Sequence, residues 1–169
     1  CHAAHGGEPA VAPLWNRSLS TLTYALYDSS TLEATTSQPS GDSKLCLSCH
    51  DGTLALGTVG VENGWAPAVI PMTGTSGGFI PDGSGDQSGD TRNIGDDLSN
   101  DHPISFAYDN TLAANDGELR TLPVTTGGTT HVGNSVKGVN PKPTLPLKFN
   151  QMECATCHDP HTWEDDPAK

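Results

Sequence analysis

Hydrophobic residues are spread along this chain without a sustained period, so the pattern predicts few and short elements. The segment 43–57, SKLCLSCHDGTLALG, is the best candidate for a helical turn, with Gly57 as its end. A second helical turn is predicted over 111–119, and a short alternating apolar stretch over 101–109. In that stretch Pro103 forces the residue before it into an extended conformation, which can aim His102 into a site.

The remaining segments are predicted to be irregular. Residues 11–32 show no amphipathic period, and residues 33–43 form a polar loop. Residues 58–100, rich in Gly, Asp and Ser, are expected to make a long surface excursion with room for a small hairpin, and residues 121–149 an extended loop. The predicted fold class is therefore loop-rich, with short helices at the cysteine motifs and little strand. Gly and Pro occur throughout, so 1–169 is expected to be a single domain.

The composition makes an ordinary hydrophobic core hard to build. Leu, Ile, Val and Phe make up about 18% of the 169 residues, and the formal net charge is −12. This combination is typical of disordered chains, because too little apolar surface is available to offset the entropy lost on folding. A compact fold would need apolar volume from another source. With 8 Lys and Arg against 20 Asp and Glu, nucleic acid and anionic lipid are not expected as partners.

No signal peptide and no 18-residue apolar run is visible in the sequence. This is expected of a chain that is mature, truncated or never exported.

Two copies of one cysteine motif occur in the chain: CLSCH at 46–50 and CATCH at 154–158. Paired thiols at this spacing can bind zinc, form disulfides, or attach a haem by two thioether bonds. Zinc does not explain why a His follows each pair directly, and disulfides do not explain the His at all. The pattern therefore favours c-type haem, because the two thiols reach two vinyl groups on one porphyrin edge while the adjacent His lies beneath the iron.

Three copies of haem c are expected. Cys46 with Cys49, and Cys154 with Cys157, would hold two of them. Cys1-His2 resembles the end of a third motif, so the chain is expected to begin partway through it; otherwise Cys1 would hold its haem by a single thioether. The alternative for Cys1 is the acylated cysteine of a lipoprotein. Covalently held macrocycles would also supply the missing apolar volume.

Seven histidines are available as iron ligands. Those that follow a cysteine directly are the predicted proximal ligands: His2, His50 and His158. The others are candidates for the three distal positions: His5, His102, His131 and His161. This supply permits bis-histidine ligation of every haem. His5 and His161 each lie three residues after a proximal His and cannot reach the opposite face of the same porphyrin, so each would serve a neighbouring haem. For His131, in a Gly-rich loop, a solvated side chain is the equal alternative.

Other side chains have weaker claims to the same chemistry. Met72 and Met152 are alternative distal ligands that would raise the reduction potential. Trp15, Tyr24 and Tyr27 are expected to pack against haem faces or edges. The segment Asp82–Asp90 has oxygen side chains at alternate positions and could wrap Ca²⁺, but its spacing is not that of an EF-hand, and a solvated loop is preferred.

Four segments, taken in order, resemble the multihaem cytochromes c with doubled C-x-x-C-H motifs: CHAAHGGEPAVAPLWN, SKLCLSCHDGTLALG, LSNDHPISFAYD and CATCHDPH. CLSCHDG together with LSNDHPISFAYD is the most specific part. The family's first segment carries a complete motif where this chain has only Cys1-His2. The resemblance implies a fold organised around stacked haems, and an electron carrier of the cell surface, the extracellular space or the periplasm. Some similar cytochromes polymerise into extracellular filaments in which one subunit donates a His to a haem of the next.

The preferred function is electron transfer by hopping between closely packed haems, with no substrate and no enzymatic activity. Head-to-tail polymerisation into a conductive filament is expected, with copies of the chain itself and redox cytochromes or extracellular acceptors as partners. A reductase for oxyanions or metals would need an open iron position and steering cations, which the spare His and few Lys and Arg argue against. A haem subunit docked to a membrane partner stays open.

Overall fold

The computed structural model of the chain describes residues 2–3, 14–62, 68–73, 75–81, 92–122, 130–132 and 145–160. In this part of the chain the secondary structure is short and widely separated. Its elements are, in order, α1 Gly41–His50, β1 Thr58–Val59, β2 Ala68–Val69, β3 Phe106–Ala107, α2 Asn110–Asp116, β4 Thr130–Val132, β5 Leu145–Leu147, β6 Gln151–Met152 and α3 Cys154–Cys157. The strands form three separate antiparallel pairs: β1 with β2, β3 with β6, and β4 with β5.

The chain divides into two compact units with interleaved sequences. Unit 1 comprises Cys1–Leu26 and Lys44–Asp101, and unit 2 comprises Tyr27–Ser43 and His102–Lys169. Each unit contains one of the two complete cysteine motifs. The expectation of a single domain stays a prediction.

Unit 1 holds most of α1 and the β1–β2 pair. Its buried apolar side chains come from the segment after Leu14, from α1 and from the loops: Trp15, Tyr24, Leu45, Leu47, Val59 and Leu98. Asn16 ties the first segment to the turn after β1, because its side chain donates to the carbonyl of Val61 and accepts from the same residue's N–H, both at 2.9 Å. These contacts fix the chain around the helix that carries the first motif.

The helix α1 ends at His50, seven residues before the predicted end at Gly57. Asp51 follows the helix, and its side chain accepts a hydrogen bond from the Thr53 N–H at 2.9 Å, which offers the backbone an alternative to a further helical turn. Gly52 then adopts φ +73°, a left-handed conformation that favours glycine. The prediction of a helix over the motif is confirmed, but the glycine that ends it is the earlier of the two.

Unit 2 has a small core made by α2, β3 and β5. Phe106, Tyr108, Leu112 and Leu147 form it, with less buried apolar side chains around them. In the β3–β6 pair, Phe106 lies opposite Met152 and Ala107 opposite Gln151. This pairing brings the segment after His102 alongside the residues that lead into α3.

Three further predictions concern these elements. The helical turn predicted over 111–119 is found as α2, Asn110–Asp116, and the excursion 58–100 does contain the β1–β2 hairpin. The extended loop predicted over 121–149 is wrong in part, because β4 and β5 lie within it and pair with each other. Their pairing joins residues about fifteen positions apart along the chain, and no local sequence pattern predicts it.

Candidate haem-binding sites

The first motif lies on α1 with its reactive groups on the more open side of the helix. Ser43, Leu47 and Ser48 are fully buried, whereas Cys46, Cys49 and His50 are half-buried. Residues three apart in a helix share a face, so the two thiols point to the same side. Both are thiols rather than disulfides. The arrangement is what attachment of one ligand to both sulfurs requires.

The ring of His50 is held by one defined contact. Its Nδ1 lies 2.7 Å from the backbone carbonyl of Arg92, and since a carbonyl can only accept, Nδ1 must carry the proton. Of the two neutral tautomers, this contact favours the one in which Nε2 carries no proton, and Nε2 is then the nitrogen that can bind a metal. Metal-binding histidines commonly donate their other ring N–H to a carbonyl in this way. The Ile94 N–H also donates to the His50 carbonyl at 2.7 Å, which fixes the same two segments together.

A buried arginine braces the end of the first motif. Arg17 is 6% exposed and donates to the carbonyls of Ser48, Ala55 and Thr58 at 3.4, 3.0 and 3.2 Å, and also to that of Leu56. These acceptors are backbone groups, so the bonds fix the loop after the helix without neutralising the guanidinium charge.

A buried carboxylate follows the same motif directly. Asp51 is 4% exposed and accepts from the Tyr24 hydroxyl at 2.7 Å and from the Thr53 hydroxyl at 2.8 Å. Burial alone would raise the pKa of Asp51, but hydrogen bonds from Ser20, Thr53 and Tyr24 outweigh it, so that pKa is lowered. Burial, together with the Asp51 charge, raises the pKa of Tyr24 to about 12. The first motif therefore lies beside two fixed charges of opposite sign.

The second motif begins at α3, and Glu153 precedes it. The Glu153 N–H donates to the Thr156 hydroxyl at 3.0 Å, which caps the short helix. The Cys154 N–H donates to the Ser43 hydroxyl at 2.9 Å. Cys154 is half-buried and Cys157 exposed, and both are thiols. The backbone of the motif is thus fixed while its sulfurs face outward.

The Glu153 side chain connects the second motif to two other segments of the chain. It is 6% exposed and accepts from the Ser105 hydroxyl at 3.0 Å and from the Ser40 hydroxyl at 3.3 Å. Ser105 is itself fully buried, and its N–H donates to the Met152 carbonyl at 2.7 Å. These bonds hold the segment that carries His102 against the segment that carries His158.

The rings of His102 and His158 face each other. Their centroids are 6.2 Å apart and their planes differ by 20°, and both side chains are exposed. A metal–imidazole bond is about 2 Å long and the ring centre lies about 1 Å further, so two axial imidazoles on one metal have centres about 6 Å apart. Offset aromatic pairs also occur at this spacing. Two imidazoles that bind one metal each point a ring nitrogen at it, whereas these two rings are stacked. The pair therefore brings His102 next to His158, which follows Cys154 and Cys157, and both rings would have to turn edge-on to bind one iron between them.

The partial first motif is described only in part. His2 is exposed, and its ring lies edge-on to Trp15, with centroids 5.4 Å apart and an interplanar angle of 75°. Cys1, His5 and His161 lie outside the described residues, as do the side chain of His131 and the segment 82–90 predicted as a calcium alternative. Of the aromatic residues expected to pack on a haem, Trp15 and Tyr24 are buried and Tyr27 is half-buried.

The described residues contain no group of three or more His, Cys, Asp or Glu arranged to hold a metal ion. Within the same residues, no helix has the length and apolar character needed to cross a membrane. No protein-family model matches the chain, and a search of curated proteins finds no match. The case for function therefore depends on the residues and their geometry.

Sequence reasoning missed four side chains around the motifs: Arg17, Asp51, Ser105 and Glu153. Asp51 and Glu153 could have been noticed, because each is adjacent to a motif, and a carboxylate there changes the charge beside the iron. Arg17 and Ser105 carry no local signal, since their partners lie about 30 to 50 positions away along the chain.

Proposed function

We propose that this chain is an electron-transfer protein that holds c-type haems at 46–50 and 154–158. His50 and His158 would each bind the iron of the haem attached to the cysteines before them, and His102 would supply the second histidine at the haem held at 154–158. The observation that supports the proposal is the proximity of His102 to His158, with ring centroids 6.2 Å apart, at a histidine that directly follows a C-x-x-C motif.

The chain's own residues have separable tasks in this proposal. The four thiols attach the cofactor, and a bound haem supplies a one-electron Fe(III)/Fe(II) couple. The Arg92 carbonyl orients His50 and fixes its tautomer. Glu153 and Ser105 hold the two histidine segments of the second motif in register. At the haem held at 154–158, two histidine ligands would leave no position for a substrate, which favours a carrier over a reductase there.

Retention of haem by the denatured protein tests the attachment. Protein produced with a cytochrome c maturation system should keep haem through denaturing electrophoresis, and its intact mass should rise by one haem for each complete motif. Replacing Cys154 and Cys157 together by Ala should remove one haem. Complete extraction of haem into acidified organic solvent would contradict the proposal.

Loss and rescue of low-spin iron tests the ligand assignment. His102→Gly should convert one oxidised haem from low-spin to high-spin, and added imidazole should restore the low-spin spectrum. Asn100→Ala, at an exposed position two residues earlier, should leave the spectrum unchanged. A fully low-spin His102→Gly protein without imidazole would show that His102 is not the ligand.

A further inference from the structure

The two complete motifs are surrounded by different buried charges. Beside the second motif, the Glu153 carboxylate is 6% exposed, and the contacts described above are hydroxyl groups. Among the described residues the one salt bridge joins Lys148 to Asp42, at 2.6 Å, and does not involve Glu153. The donors to the Glu153 carboxylate are therefore neutral hydroxyl groups, and no salt bridge of the described residues involves it.

Beside the first motif, two buried charges of opposite sign are present. Arg17 is bonded to the Ser48 carbonyl, inside the motif itself, and Asp51 follows His50 directly. Both are more than nine-tenths buried. Their bonds run to neutral groups, as in the second motif, but here the charges are of opposite sign, so their effects on a nearby iron would oppose each other.

We infer that these buried charges give the two haems different reduction potentials. The haem at 154–158 has a lower reduction potential than the haem at 46–50. The inference rests on the proposed function and extends it, because it assigns Glu153 and Arg17 as residues that set the potentials. Neither residue touches the iron in this assignment; each acts through its charge.

The sign follows from electrostatics. A negative charge stabilises Fe(III) more than Fe(II), because the oxidised iron carries one more positive charge, so a nearby carboxylate lowers the potential and a nearby guanidinium raises it. Buried charges are screened much less than exposed ones. At an effective dielectric constant of about 20, one unit charge about 10 Å from another changes such an equilibrium by on the order of tenfold. A tenfold change is about 59 mV for a one-electron couple.

The decisive experiment is a reductive titration of the haem-loaded protein, in which dithionite donates one electron to each Fe(III). Glu153→Gln removes the charge and keeps a side chain of the same shape that can accept from Ser105. We expect the low-potential component to rise by about 59 mV, a tenfold change, while the spectrum stays low-spin. Glu118→Gln, the same substitution at an exposed position of unit 2, should leave that component in place.

Arg17 supplies an independent arm of the experiment. Arg17→Gln should lower the high-potential component, and Arg17→Lys, which keeps the charge but loses the planar fork, should hold it near the parent value. The component assigned to the second motif is the one whose spectrum changes in His102→Gly. If Arg17→Gln does not fold, the reduction potentials of Arg17→Lys and Glu153→Gln still test the inference.

Two outcomes would overturn the inference and separate it from the proposed function. If haem-loaded Glu153→Gln shifted no further than Glu118→Gln, the charge assignment would fail while the electron-transfer function stood. If the parent protein bound no covalent haem, both would fall together. A rise in the reduction potential of the haem at 154–158 in Glu153→Gln, with no such rise in Glu118→Gln, supports the inference.

Discussion

At the scale of single residues, the two motifs depend on buried polar side chains that are satisfied by neutral partners. Ser105 is an example. It is fully buried, adopts φ +56°, and connects the Glu153 carboxylate to the backbone of β6. A buried polar group that loses one partner costs free energy comparable to its desolvation. The stability of unit 2 should therefore respond strongly to this one hydroxyl.

Ser105→Ala is expected to lower the free energy of unfolding by about 1–3 kcal/mol, because Glu153 would keep its burial and lose a donor. Chemical denaturation followed by circular dichroism measures the effect. Ser30→Ala, at an exposed position of the same unit, should change the midpoint little. Equal midpoints for the two variants would show that the Ser105 hydroxyl is not needed.

Tyr24 should make unit 1 sensitive to alkaline pH. Its pKa is raised to about 12 in the fold, above the ordinary value of about 10. The folded protein therefore holds the phenol proton more tightly than the unfolded chain, so the contribution is fully present below pH 10 and is lost as pH rises towards 12. Tyr24→Phe should lose less stability than the parent between pH 9 and about 12, as measured by urea midpoints. A parallel fall in both proteins would contradict this.

At the scale of elements, short helices are stabilised by the hydrogen bonds that cap their ends. In α2 the Asp109 side chain accepts from the Leu112 N–H at 2.8 Å, and Gly117 closes the helix at φ +78° with its N–H on the Ala113 carbonyl. Seven residues are too few for a helix to be stable by itself in water. Caps and the packing of Leu112 therefore decide whether α2 forms.

Three variants at the ends of α2 should destabilise unit 2 to different extents. Asp109→Ala should destabilise unit 2 by about 1 kcal/mol, and Asp109→Asn by much less, because Asn also caps well. Gly117→Ala should cost about 1 kcal/mol through backbone strain alone, since a Cβ there would meet nothing within 4 Å. Denaturation midpoints of the three variants test the order. An Asp109→Asn variant as unstable as Asp109→Ala would argue that the carboxylate charge, rather than the cap, matters.

The elements also show which features the sequence could predict. The helix over CLSCH and the turn at 111–119 were predictable, because local cysteine spacing and cap residues define them. Of the strand pairs, only the β1–β2 hairpin was anticipated, within 58–100. The β3–β6 and β4–β5 pairs were not, because each strand has two or three residues and is defined by its partner rather than by a local pattern. The same division holds at the site. His50 and His158 could be identified from their motifs, whereas the approach of His102 to His158 depends on Ser105, Glu153 and the β3–β6 register.

At the scale of the whole molecule, low apolar content and a charge of −12 leave few side chains from which to build a core. A covalent macrocycle beside each motif would add apolar volume that the side chains lack. We expect a variant with all four motif cysteines replaced by Ala to lose most of its protection against proteolysis, whereas Ser30→Ala should not. A four-cysteine variant as resistant as the parent would show that the chain folds without a cofactor.

The predicted filament is also a property of the whole molecule. We expect the haem-loaded protein to form a head-to-tail homopolymer in which His5 or His161 ligates a haem of the neighbouring subunit, a contact that yields an open chain unless its rotation closes. Acid should weaken it, because a protonated imidazole cannot bind iron. Electron microscopy and sedimentation at pH 7 and pH 4.5 test this. A monomer whose haems are all bis-histidine would contradict it.

The interleaving of the two units has a consequence for the order of folding during synthesis. Every segment of unit 1 has been made once residue 101 has emerged, whereas Tyr27–Ser43 must wait for the chain beyond His102 before unit 2 can form. Domains generally fold as their last segment becomes available. The first motif can thus settle into its surroundings early, while Ser40 and Ser43 stay without their partners Glu153 and Cys154 until almost the whole chain exists. A ribosome stalled between the two motifs would hold one finished site and half the framework of the other.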